Sequence, residues 1–321
     1  MRACERLFVN CCKIVNMKKL FTGFIFTLAC LTSFAQSTNP NNTLLWKISG
    51  KNLSKPSYLF GTIHLLCADD IQLSPNLRTA IQASDRVYLE LDMDNMFEML
   101  GVLGKMKMRN DTTLADLLTK EEYEAVRKFF SEQSGPIPFS ILETYKPMLA
   151  ASTLMQASLN CNKQVAMEQL VMKEAKASRK DVKGLETMAY QMSIFDSIPY
   201  SLQAKQLYNY VSNYEKQSNN SEFEELTKAY LSQQLDKLEA ITKKEDMGMA
   251  NFTEILLYRR NEAWAKKMEE LMASQSLVVA VGAGHLPGDR GVINLLRKAG
   301  YKVEPQANDM VKKPEERQMQ P

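Results

Sequence analysis

The sequence predicts an α/β fold: a central mixed β-sheet built from N- and C-terminal strands, flanked by helices, with a large helical insertion in the middle. Three observations predict it. Short apolar runs of β type cluster between residues 44 and 92 and again between 276 and 303. The long stretch between them reads mostly as helix. Each strand cluster also carries one local pattern, in which a strand leads into a glycine, two small or apolar residues and a histidine. These are YLFGTIHL at Tyr58–Leu65 and VVAVGAGHL at Val278–Leu286, and the chain has only two histidines, His64 and His285. The ends must meet in one sheet if this is a single domain.

Length allows two domains or one larger α/β domain. With 45% apolar and 24% charged residues, the chain has enough apolar content for a core and enough charge for an aqueous surface. The formal charge of +3 comes from a basic leader. Without residues 1–35 the chain carries 35 basic and 36 acidic side chains, which excludes a nucleic-acid footprint. In that leader, Met17-Lys18-Lys19 is a basic start and Leu20 to Phe34 a mostly apolar run, too short for a membrane span. Ser33-Phe34-Ala35 places small residues at a cleavage site, so residues 1–35 are expected to be a signal peptide cut before Gln36, with residues 1–16 an upstream extension. A lipoprotein cut before Cys30 fits less well. The mature chain is expected in the periplasm or secreted, without a transmembrane span. It keeps Cys67 and Cys161, which are either one disulfide or two buried thiols.

In order, residues 36–43 are a polar linker to a domain over 44–304. Leu44–Ser49 and Ser57–Ile63 form a hairpin across the turn signals at Gly50, Lys51 and Asn52. Ser74-Pro75 opens a helix, serine capping and proline at the first helical position. Arg86–Asp92 follows as a strand with Glu90 among apolar and aromatic neighbours. The five methionines between Met93 and Met108 fit gap-filling helix packing, with a flexible apolar lid or peptide-contacting surface as the alternative. Thr119 and Glu122 form a capping box, Ser134–Pro138 is a loop, and Pro147 starts or kinks a helix toward Leu159. Met167–Ser178 is helical and Asp181–Glu186 a short strand. Thr187–Ser274 is helical apart from Pro199 and the loop Lys216–Asn220. Ser276–Gly282 returns to strand, Pro287–Gly291 turns into a helix over Val292–Ala299, and Tyr301–Val303 is the last strand. Residues 305–321 read as a polar, disordered tail.

A glycine three residues before each histidine permits close backbone approach at a strand end. Two such strands side by side bring two imidazoles into one cleft, and imidazole nitrogens suit zinc, manganese, iron or cobalt. A catalytic metal needs about three protein ligands and an open position. Glu90 is the third candidate, because a carboxylate buried in a strand needs a partner or a metal. On the residues alone, a shared site and two separate structural histidines both stay open. No helical zinc-protease motif, serine elbow or phosphate loop is present.

The blocks Leu59–His64, Val87–Glu90, Val182–Thr187, Arg260-Asn261 with Trp264, and Gly282–Gly288 together resemble the TraB/GumN family, whose eukaryotic relatives are the Tiki metalloproteases. The resemblance implies a sheet-based fold with surrounding helices and a divalent-metal site lined by His64, Glu90 and His285. It also implies that Glu186, Arg260 and Asn261 are polar positions of the same cleft. Family members often carry glycine and aspartate near Ala166-Met167-Glu168, where this chain has alanine and glutamate.

The function expected from these readings is an exported metal-dependent hydrolase using Mn, Co or Zn and acting on peptide bonds. Glu186 is then the general base, with Arg260 and Asn261 as oxyanion or substrate partners. The alternative is a haem-, metal- or peptide-binding envelope protein without turnover. A third reading is metal-free hydrolysis with histidine as base.

Overall fold

The computed structural model describes residues 42–133, 137–157, 159, 161, 163–214, 221–243 and 252–312. The expected signal peptide, most of the linker, the loop Lys216–Asn220 and the chain beyond 312 lie outside the described residues.

The predicted hairpin forms from β1 (Leu45–Ser49) and β2 (Ser57–Thr62), paired antiparallel from Leu45↔Phe60 to Ile48↔Ser57. Gly50, Lys51 and Asn52 all take positive φ at its turn, the backbone region the Gly-Lys-Asn signal predicts. A two-residue strand, β3 (Leu66–Cys67), follows His64. Helix α1 (Pro75–Ala83) is capped by the Ser74 side chain, which accepts from the Leu77 N–H, and buries Leu77, Ala80 and Ile81. It leads into β4 (Arg86–Leu91). The middle of the chain supplies β5 (Gln164–Val165) and β6 (Val182–Glu186), and the C-terminal part β7 (Leu277–Gly282) and β8 (Lys302–Pro305).

Six of these strands form one mixed sheet in the order β6-β4-β7-β2-β1-β8, while β3 and β5 pair separately. One sheet strand, β6, thus comes from mid-chain and lies on an edge. β6, β4, β7 and β2 are mutually parallel, and β1 is antiparallel to both β2 and β8. The strand β7 inserts between β2 and β4, so the parallel return from β2 through α1 skips one position that the distant C-terminal segment fills. Leu277–Val281 are completely buried there, which explains why β7 is a continuous apolar run rather than an alternating one.

The helical region runs through α2 (Met96–Val102), α3 (Leu114–Leu117), α4 (Lys120–Glu132), α5 (Phe139–Leu142), α6 (Pro147–Ala157), α7 (Met167–Ala177), α8 (Met188–Phe195), α9 (Tyr200–Asn213), α10 (Ser221–Leu231) and α11 (Leu235–Thr242). A π-helical turn, Glu254–Tyr258, opens into α12 (Arg259–Met272), and α13 (Val292–Lys298) precedes β8. The capping box at Thr119 and Glu122 forms with both hydrogen bonds. Around α4, α6 and α9 lies a core separate from that of the sheet, containing Val126, Phe130, Leu154, Ala204 and Leu207. Beside it the buried Lys146 donates to the carbonyls of Lys105 and Met192 and pairs with Asp196 at 3.0 Å.

Two expectations change. The methionine-rich α2 buries none of its residues: Met96 and Leu100 are more than 60% exposed and Phe97 is 88% exposed. It therefore presents an apolar surface, with α8 and the following 3-10 turn packed beside it, and of the five methionines Met108, beyond the helix, is the one that is buried. Residues 306–312, read as part of a polar tail, run along the domain. Met310 is buried, the Gln72 N–H donates to its carbonyl, and the Lys312 N–H donates to Asp70 O. Three apolar side chains, Ala307, Met310 and Val311, are too few to mark this segment by pattern. No described helix is long and apolar enough to cross a membrane.

Candidate active site

The parallel strands end side by side, and their carboxyl ends deliver the predicted residues in lateral order. Glu186 closes β6 and Glu90 lies in the last turn of pleat of β4. His285 follows β7 by three residues and His64 follows β2 by two. This end of an open parallel sheet is where α/β folds bind ligands. The registers Leu91↔Glu186 and Thr62↔Gly282 set the alignment.

The two motif glycines have different steric causes. A Cβ on Gly61 would lie 3.1 Å from Ala283, Leu286 and Leu44 side-chain atoms, so Gly61 lets the β7–His285 turn pack against β2. A Cβ on Gly282 would lie 3.3 Å from Glu90 Oε1, and the Gly282 N–H donates to that same oxygen at 2.8 Å.

His285 is buried and its tautomer follows from its partners. Asn261 Nδ2 donates to the Arg290 carbonyl at 2.9 Å, which turns Asn261 Oδ1 toward the ring. His285 Nδ1–H therefore donates to Oδ1 at 2.6 Å, and Nε2 carries the lone pair. Arg260 Nη1 donates to Nε2 at 3.2 Å, and Glu90 Oε1 lies 3.9 Å from it. Burial, helped by the nearby positive charge of Arg260, pushes the ring down to about 4, so it is neutral at pH 7.

Arg260, in the first turn of α12, occupies the middle of the cluster. Nε and Nη2 grip Glu186, Nη2 also donates to Glu90 Oε2 at 2.6 Å, and Nη1 donates back to Leu256 O inside the π-helical turn. Glu186 also accepts from Trp264 Nε1 and Gln191 Nε2, and Gln191 donates in addition to Glu90. Burial raises the Glu90 carboxyl, but His285, the Arg260 guanidinium and the Gly282 N–H outweigh it and hold it at about 2.

His64 differs, since its side chain is 77% exposed. Its Nδ1 lies 2.8 Å from Glu168 Oε1, which also accepts from Thr62 Oγ1 at 2.6 Å. The hydrogen bond to this carboxylate, and its negative charge, raise the imidazole to about 9. Glu168 itself is 7% exposed, and its Oε2 has no hydrogen-bond partner among the described residues. An unsatisfied buried acceptor of this kind costs about 1–3 kcal/mol.

The sequence reading missed Glu168, Gln191 and Trp264 as parts of the cleft. Glu168 carried a signal, as the acidic residue at a position where the family pattern has aspartate, and Trp264 stood in the Arg260-Asn261 block with no role assigned to it. Gln191 shows no pattern before the fold brings α8 to the strand ends.

The donor set suits a divalent cation in kind: imidazole nitrogens whose opposite Nδ1 is held by an oxygen, and carboxylates beside them. Two ligands on one tetrahedral ion stand about 3.4 Å apart, close to the 3.9 Å between His285 Nε2 and Glu90 Oε1. The set is not fully gathered, because the guanidinium supplies the positive charge at that point. Among the described residues no three His, Cys, Asp or Glu side chains are grouped so that they could hold a metal ion.

Comparison with known proteins gives this geometry a family. The family model described as TraB/PrgY/gumN matches residues 44–305. Among curated relatives, metalloprotease TIKI2 of Danio rerio is 23% identical over 82% of this chain and 61% of its own length. Metalloprotease TIKI1 of Danio rerio is 24% identical over 86% of this chain and 65% of its own. The metalloprotease TIKI homolog of Amphimedon queenslandica is 22% identical over 91% and 67%. The chain thus spans less than two thirds of the length of the Danio relatives. No solved structure matches it. Since the family match takes in both histidine motifs and every strand of the sheet, the chain belongs to the TraB/PrgY/gumN family.

Proposed function

We propose that the protein is an exported metal-dependent hydrolase acting on peptide bonds, with His64, Glu90 and His285 holding Mn, Co or Zn. The observation that carries this reading is the pair of histidines at adjacent parallel strand ends, each with Nδ1 held by a protein oxygen so that Nε2 is the ligating nitrogen. The similarity to the TIKI metalloproteases supports it. A divalent cation there supplies polarisation of the substrate carbonyl and acidifies water.

The chain's own groups divide the remaining work. Arg260 was expected as an oxyanion or substrate partner, but it is buried and its N–H groups already donate to Glu186, Glu90, Leu256 O and His285; in this reading it supplies positive charge beside Glu90 and His285. Glu186 was expected as a general base, but its oxygens already accept from Arg260, Trp264 and Gln191. In this reading it holds Arg260 in place. Asn261, 1% exposed with both amide groups engaged, fixes the tautomer of His285 and does not contact substrate. The bonded pair Cys67–Cys161, Cα atoms 5.8 Å apart, supports export, because disulfides persist in oxidising compartments.

One observation favours a second reading, metal-free hydrolysis with His64 as base. An exposed imidazole backed by a buried carboxylate is the arrangement of a general-base dyad, and with the ring raised to about 9 it would act as a base toward alkaline pH. Metal content and peptide cleavage, measured for the unaltered chain, His64→Ala and His285→Ala, separate the two. The metal reading expects both variants to lose bound metal and cleavage while remaining folded. Full cleavage after exhaustive chelation refutes it and supports the dyad.

A further inference from the structure

Glu168 lies 104 residues from His64, yet the two chain segments are fastened together along their length. The Met167 N–H donates to Ile63 O at 3.1 Å. Beyond it β3 and β5 pair Leu66↔Val165 and Cys67↔Gln164, and the Ala68 N–H donates to Lys163 O at 2.9 Å. The Cys67–Cys161 disulfide closes the far end. This clamp begins directly before His64 on one side and ends directly before Glu168 on the other. Behind it, the fully buried Tyr230 hydroxyl donates to Gly61 O, fixing the strand from which the His64 turn departs.

Glu168 is poorly explained as a stabilising residue. It is buried, and the side-chain donors Thr62 and His64 share Oε1 while, among the described residues, Oε2 has no hydrogen-bond partner. A carboxylate kept for stability alone would satisfy both oxygens or be replaced by an apolar side chain. What the arrangement achieves is orientation. The His64 ring projects into solvent, and an exposed side chain samples several rotamers unless a bond selects one. Placement in the first turn of α7 adds backbone dipoles that favour the carboxylate form.

We propose that Glu168 is the positioning residue of His64, and that the disulfide-closed clamp of residues 63–68 with Cys161 and residues 163–168 is what brings it there. Its consequence for metal binding rests on the hydrolase reading above, whereas the orientation of the ring does not. Because outer-shell carboxylates on ligating histidines typically govern metal affinity by 10–100-fold, the effect on binding is of that size.

The test uses the full chain and two readouts. The first is nitrogen-detected NMR of the imidazole rings in metal-free protein, where two histidines give two assignable sets of signals and a hydrogen-bonded Nδ1–H is shifted strongly downfield. The second is Co2+ affinity by equilibrium dialysis with the visible spectrum of the bound ion. In Glu168→Ala the shifted His64 signal is expected to vanish, the His285 signal to remain, and Co2+ affinity to fall roughly 10–100-fold. Glu168→Asp is expected to restore the signal and most of the affinity, which a packing role alone does not predict. In Cys67→Ser/Cys161→Ser the His64 signal broadens and affinity falls about tenfold. An unchanged His64 signal in Glu168→Ala overturns the proposal, as does Co2+ affinity within twofold of the unaltered chain. A folded double-serine chain with both readouts unchanged overturns the part given to the disulfide. If the unaltered chain takes up no Co2+ yet its His64 signal depends on Glu168, the metal reading fails and the positioning stands.

Discussion

Replacing Arg260 by methionine tests the electrostatic logic of the cleft. Methionine keeps much of the length and removes the charge. Arg260 donates to Glu186, Glu90, His285 and Leu256 O, and the two carboxylate side chains are only 6% and 12% exposed. Removing one member of such a buried group leaves uncompensated charge, at about 3–5 kcal/mol. For a domain of this size that lowers the melting temperature by about 6–20 °C. The pH dependence makes the test specific. Glu90 titrates at about 2 in the native protein against 4.5 ordinarily, so its contribution is present above pH 4.5 and lost as pH falls toward 2. Without the guanidinium one of the groups that offset burial is gone, so the carboxyl rises from its native value, and protonation at acid pH relieves part of the orphaned charge. Urea unfolding of chelated protein is therefore expected to show a gap of about 3–5 kcal/mol between Arg260→Met and the unaltered chain at pH 7, narrowing at pH 4. A loss below about 1 kcal/mol, or a gap equal at both pH values, refutes the argument that the cleft carboxylates depend on Arg260.

Four further outcomes follow from the same structure. Gly282→Ala puts a methyl 3.3 Å from Glu90 Oε1; it should cost about 1–3 kcal/mol by overpacking and weaken Co2+ uptake, both absent if the carboxylate moves freely. Lys146→Met removes the buried ammonium that bonds Asp196 and the carbonyls of Lys105 and Met192, while Arg109 and Tyr200 still bond Asp196, and should lower stability by about 1–3 kcal/mol in urea titration. The Cys67–Cys161 bond spans 94 residues; breaking it should cost up to about 4.5 kcal/mol on the chain-entropy account, checked by unfolding with and without reductant. The raised value of His64 means that its pairing with Glu168 contributes stability fully present below pH 6.5 and lost as pH rises toward 9; His64→Gln should flatten the alkaline limb of the stability curve.

The sheet and the histidine pair were legible because they leave short-range patterns. Gly50, Lys51 and Asn52 marked a real turn, Ser74-Pro75 a real cap, and the glycines before His64 and His285 answer to contacts that a side chain would crowd. Roles were less legible than positions. Asn261 and Glu186 look alike in sequence as polar cleft residues, and only hydrogen-bond partners reveal that both are saturated by protein donors or acceptors. Glu168 was set aside as a departure from the family pattern, because nothing local shows that a segment 104 residues earlier folds against it. The methionine-rich segment misled for a related reason: apolar side chains in a helix read as core whether or not a partner covers them. Residues 306–312 were hidden by their polarity, their attachment being largely through backbone.

The insertion of β7 between β2 and β4 has a consequence for synthesis. Until residue 282 has emerged from the ribosome, the two earlier strands face each other across a missing neighbour, and neither has its native partner on that side. No N-terminal fragment can close the sheet, however long the helical region it includes. The nascent chain therefore stays open and threadable for nearly its whole length, and then completes its core in one late, long-range event of the kind that folds slowly and gains from being shielded meanwhile.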